Sequence, residues 1–84
     1  MSTKTIKMKI NDTELPKWYD GAIYTKGDLV TNPFSGEQAI LTANELAMYD
    51  LIQGAMMFEK YPIARKGLDW FRSANPRAYM ILLD

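Results

Sequence analysis

The sequence predicts a small α+β domain: antiparallel strands with a β-hairpin in the N-terminal half, followed by two to three packed helices. Three observations carry that class. Residues Thr5 to Ile10 alternate apolar and polar, "TNPFSGEQAIL" holds a turn between two short extended runs, and from Thr42 onward the apolar residues recur at helical spacing. A chain of 84 residues leaves no room for two cores, so 1–84 is read as one domain, with strands and hairpin in 1–41 and the helical part in 42–84.

The first element is Thr5–Ile10, where Ile6, Met8 and Ile10 share one face and Lys7 and Lys9 the other; lysines on the outward face suit an edge strand. "TELPKWYDGA" reads as a loop, because Pro16 and Gly21 interrupt any period, and Trp18 and Tyr19 fall within it. Two short strands are expected at Ala22–Thr25 and Asp28–Thr31, separated by Lys26 and Gly27. Asn32 can then start a turn by bonding backbone with its side chain. Pro33 pre-sets the next position and Gly36 can take a positive φ at the exit, so the chain returns through Glu37–Leu41 as a hairpin.

Thr42 and Glu45 stand at capping-box spacing before a long apolar segment, which predicts a helix from Ala43 to about Glu59, ended by Tyr61 and Pro62. A second helix is expected over Ile63–Ala74. Asn75 and Pro76 close it and can serve as cap and first residue of a third, although the apolar run 76–83 fits a buried strand equally well by periodicity.

The two long helices differ in how their apolar residues are placed. On a helical wheel the second gathers Ile63, Ala64, Gly67, Leu68, Trp70, Phe71 and Ala74 in one arc, opposite Arg65, Lys66, Asp69, Arg72 and Ser73. Gly67 lies near the middle of the arc, where a missing side chain lets another backbone come close. The first helix has only Asp50 and Gln53 as an interior polar wedge, and Leu46 and Met57 intrude even there. A helix apolar almost all round must be covered almost all round. A sheet and the second helix cover two sides of it. The third side must be met by the run Tyr79–Leu83, by a second copy of the chain, or by another protein. Leu46, Met56 and Met57 are the candidate partner-binding residues, with Met57 on the margin between apolar surface and polar wedge.

Composition narrows the chemistry. The chain has neither histidine nor cysteine, which removes the usual general base, the usual thiol nucleophile and the best transition-metal ligands. No enzyme, cofactor or metal site is expected. "NDTE" at Asn11–Glu14 lacks the glycine and distant glutamate of a calcium loop, and the glycines lack the context of a phosphate loop. The scattered Asp20, Asp28, Glu37 and Asp50 have no spacing that would hold two acids together for hydrolysis.

Ten basic and ten acidic residues cancel, which argues against a strong phosphate-binding field. Within that balance Arg65, Lys66, Arg72 and Arg77 form the alternative, a nucleic-acid-binding face on two consecutive helices. Asp69 in its midst would repel phosphate. With no apolar run long enough for a signal peptide or a membrane span, a soluble cytoplasmic chain without membrane contact is expected.

"TNPFSGEQAILTANELAMYDLIQGA" and "GLDWFRSANPRAYMILLD" resemble small uncharacterised proteins encoded by T4-like phages of marine cyanobacteria, most specifically in "SGE", "ELAMYD" and "NPRAYMILLD". The likeness covers about 31–84 and brings no activity to any residue. It implies a context, the cytoplasm of an infected bacterium, with a host or phage protein as partner; the other expected partner, a second copy of the chain in a homo-oligomer (dimer), follows from the wheel of the first helix and not from the resemblance.

Overall fold

The computed structural model describes residues 12–84. The strand expected at Thr5–Ile10 lies outside the described residues. From Asp28 onward the fold is a two-stranded antiparallel hairpin, β1 (Asp28–Thr31) and β2 (Gln38–Leu41), followed by three packed helices, α1 (Ala43–Met57), α2 (Tyr61–Ala74) and α3 (Pro76–Leu82).

The hairpin turn follows the chemistry of its residues. Asn32 Oδ1 accepts from the amides of Phe34 and Ser35, Gly36 takes φ 80°, and Asn32 Nδ2 donates to the Ile81 carbonyl at 2.8 Å, tying the turn to α3. Leu29 pairs with Ile40 and Val30 with Ala39, so alternation turns Val30, Ala39 and Leu41 to the core and leaves Leu29 and Ile40 exposed on the outer face.

α1 begins with a complete capping box: the Thr42 hydroxyl accepts from the Glu45 amide, and Glu45 Oε1 accepts from the Thr42 amide at 3.0 Å. The same Glu45 oxygen accepts from Asn75 Nδ2 at 3.1 Å, while Asn75 Oδ1 caps α3 by accepting from the Ala78 amide. One buried carboxylate thus joins the starts of two helices. α1 stops at Met57, earlier than the expected Glu59, because Glu59 adopts φ 59°. Its amide bonds Met56 O and the next amide, of Lys60, bonds Ala55 O at 2.7 Å, the pattern that ends helices at a left-handed residue.

Tyr61 and Pro62 do not separate the helices as expected but open α2, two residues before Ile63. Proline fits there because the first-turn amides have no intrahelical acceptor in any case. The run 76–83, open between helix and strand, is helical to Leu82, with Pro76 in its first turn.

The core consists of Leu41, Met48, Ile52, Phe71, Ala78 and Leu82. α1 packs on α2, and α3 packs on α2 and β2. The expected α2 arc faces inward, with Ala64, Gly67 and Phe71 buried, and Arg65, Lys66, Asp69, Arg72 and Ser73 are exposed. At Gly67 the close neighbour is side chain, not backbone: a Cβ there would stand 2.7 Å from Ile52 Cγ1.

The expected strand Ala22–Thr25 is absent. Residues 12–27 carry no helix or strand and instead form a strap across α1 and α2. Asp12 accepts from the Thr42 hydroxyl and the Asn44 amide, Glu14 O accepts from Trp70 Nε1 at 3.0 Å, the Tyr19 hydroxyl meets the Ala47 carbonyl, and Tyr24 donates to Asp50. Running over the helices, this segment has no ladder partner beside β1. It is the strap, with Leu15, Trp18 and Tyr19 against the core, that covers the side of α1 left unassigned by the sequence.

Candidate protein interface

The strap covers α1 at Ala47, but the C-terminal end of the helix stays bare. Met56 is 48% exposed, Met57 75% and Phe58 71%, and Tyr61 beyond the turn is also exposed. Helix geometry accounts for part of this: Met57 follows Asp50 and Gln53 by seven and four residues, so it shares their solvent face. The left-handed Glu59 accounts for the rest, since it reverses the chain immediately after Phe58.

Two grooves flank this end. One, of about 340 Å³, is walled by Leu51, Gly54, Ala55, Phe58 and Ile63, with Asp20 and Lys60 as its charged members. The other, of about 370 Å³, contains Met56, Tyr61, Leu68 and Tyr79 together with Arg65, Asp69 and Arg72.

Of the partner-binding candidates, Met56 and Met57 lie at this exposed end. Leu46 sits three turns away, half-buried and packed against the core. Phe58, Tyr61 and the groove beside Gly54 complete the surface. Phe58 has a signal in the sequence, as the last residue of the apolar run, whereas Tyr61 reads there only as a helix stop.

The four bases of the alternative face are dispersed. Arg65 and Arg72 share the second groove, but Arg72 lies 3.4 Å from Asp69 and its guanidinium 5.7 Å from the Tyr79 ring. Lys66 Nζ stands 5.6 Å from the ring of Trp18, and Arg77 lines a different groove, between β2 and α3.

The polar side of α1 carries a phenol–carboxylate cluster. The hydrogen bond from Tyr24 to Asp50, and then the Asp50 charge, push the Tyr24 phenol above its ordinary pKa. Burial raises that of Tyr19, helped by Asp50 and Asp20. Both phenols therefore stay protonated through neutral pH and serve as donors that anchor the strap. Among the described residues no group of three or more carboxylates comes together to hold a metal ion. No helix among them is long and apolar enough to cross a membrane.

Fold and surface together define a small α+β domain with a bare apolar helix end. No family model, curated protein or solved structure matches the chain.

Proposed function

We propose that the chain is a small non-enzymatic interaction module that self-associates through the apolar end of α1. The observation that carries this is the run of three large apolar side chains, Met56, Met57 and Phe58, exposed together at a helix end that a few residues earlier is well covered. Contiguous apolar surface of this kind marks contact sites on small proteins, and methionine adapts readily to a partner's relief. The chain's zero net charge lets two copies approach without repulsion. The lack of histidine and cysteine supports a role in binding over one in catalysis. The resemblance to phage proteins supplies the setting, a host cytoplasm in which such a module acts on host or phage machinery.

Solution mass by light scattering tests the reading. The parent is expected to be dimeric, and Met57→Asp to raise the dissociation constant about a hundredfold by placing an unpaired charge in a dry contact. The fold should persist, because Met57 is 75% exposed. A parent that stays monomeric at high micromolar concentration refutes self-association.

The alternative, a nucleic-acid-binding accessory role, draws on Arg65 and Arg72 beside Tyr61 and Tyr79 in one groove. It requires DNA binding that weakens steeply with salt. Asp69 within that groove weighs against it.

A further inference from the structure

The outer face of the hairpin is apolar and, among the described residues, uncovered. Leu29 and Ile40 pair across the two strands and are 50% and 79% exposed. Two grooves meet at this pair: one of about 640 Å³ that reaches Asp12, Gly27 and Thr42, and one of about 400 Å³ that reaches Ala78 and Ile81 of α3. Asp12, the first described residue, is held at the larger groove by the Thr42 hydroxyl and the Asn44 amide. The residues before it therefore leave from the groove itself.

We propose that Thr5–Ile10 lies extended across this face, with Ile6, Met8 and Ile10 turned to Leu29 and Ile40. Three observations select this segment as the occupant. Reach is the first: counting back from Asp12 at about 3.3 Å per residue, Ile10 falls about 7 Å away and Ile6 about 20 Å, against strands of four residues that span about 13 Å. Pattern is the second. Alternation puts the three apolar side chains on one face, as a chain laid on an apolar surface requires, and leaves Lys7 and Lys9 on the other. Charge is the third: residues 1–10 hold Lys4, Lys7 and Lys9 and no acid, while the hairpin 28–41 holds exposed Asp28 and Glu37 and no base. The segment covers the face rather than lengthening the sheet beside β1, because the Leu29 amide already donates to Asp28 Oδ1 at 2.7 Å. This contact is independent of self-association at the end of α1.

The chain has no cysteine, so Lys7→Cys gives the full-length protein a single attachment point for a nitroxide, on the side of the segment turned away from the hairpin. Magnetic resonance of the isotope-enriched protein then reads the Leu29 amide signal, with circular dichroism to follow the fold. The oxidised label is expected to remove most of that signal and its reduction to restore it. Adding Met8→Asp, or in a separate variant Ile40→Asp at its 79% exposed site, should return the signal to near full intensity by setting a charge in the apolar contact. The two substitutions lie on opposite sides of the contact, so one that fails to fold leaves the other. A Leu29 signal at full strength in the labelled parent overturns the proposal, as does a folded charged variant in which the label still removes it. Mixing spin-labelled chains with isotope-enriched ones tests for a second copy: an equal loss of the signal there puts another molecule on the face and overturns the proposal too.

Discussion

Replacing Gly67 by alanine measures how closely α1 and α2 approach. A Cβ at residue 67 would lie 2.7 Å from Ile52 Cγ1, 3.3 Å from Ile52 Cδ1 and 3.3 Å from Met48 Sδ. The methionine can move aside. Ile52 cannot do so easily, since it is fully buried and a β-branched side chain in a helix holds one χ1 rotamer. The helices must therefore part, and overpacking of this kind costs about 1–3 kcal/mol. Against that, alanine is favoured over glycine in a helix interior by about 1 kcal/mol. The net expectation is a loss of about 1 kcal/mol, or about 4–8 °C in Tm for a chain of this size. Gly54→Ala provides the comparison, because its Cβ meets nothing and should yield the full gain of about 1 kcal/mol. Urea unfolding of both variants should thus separate one substitution, made at two glycines, by about 2 kcal/mol. In Gly67→Ala combined with Ile52→Ala the clash is gone, so the pair should lose less than the sum of the singles by about 2 kcal/mol, the cost of the overpacking. A Gly67→Ala protein as stable as Gly54→Ala would refute the close approach.

Glu45→Ala should destabilise by about 2–4 kcal/mol in urea unfolding, since it strips a buried acceptor from both the Thr42 amide and Asn75 Nδ2. Glu59→Gly should gain about 1 kcal/mol by relieving a left-handed backbone, which thermal melts would register; an unchanged Tm would mean that residue 59 carries no strain. The Tyr19 and Tyr24 phenols titrate higher in the fold than their ordinary 10.0. The folded state therefore holds these protons more tightly than the unfolded chain, and the stability they lend is complete below pH 10.0 and lost as pH rises through the folded values. Asp50→Asn should bring the Tyr24 titration down toward 10.0 in the ultraviolet absorbance of tyrosinate, and a curve identical to that of the parent would contradict the hydrogen bond.

The elements legible in the sequence are those whose determinants are local. Asn32, Pro33 and Gly36 carry the turn within five residues, Thr42 and Glu45 carry the start of α1 within four, and Asn75 needs only Ala78 to cap α3. Met57 was legible as a boundary residue because the helical wheel depends on position alone. The strap was not, because it has no period: its partners are Asn44, Ala47, Asp50 and Trp70, and nothing near Asp12 or Tyr24 in the chain announces them. Pro62 reads as a stop in the sequence because a proline that ends one helix and a proline in the first turn of the next look alike when only the three residues 58–60 separate the helices. The turn at Glu59 was hidden for a related reason, since glutamate occupies a position where glycine is the usual signal.

The strap also bears on the order in which the molecule assembles. Its hydrogen bonds join residues 26 positions apart at Tyr24 and Asp50, 32 at Asp12 and Asn44, and 56 at Glu14 and Trp70. The packing of α1 on α2 and of α2 on α3, by contrast, joins elements adjacent in the chain. Contacts that close long loops gain nothing until the loop entropy has been met, so the helical part forms the nucleus and the strap docks onto a finished surface. Whatever docks after the rate-limiting step governs how fast the native state is left rather than how fast it is reached. The strap is accordingly the first part to detach, by an excursion smaller than global unfolding, and each excursion uncovers the flank of α1 at Ala47 and adds it to the apolar surface already bare at Met57.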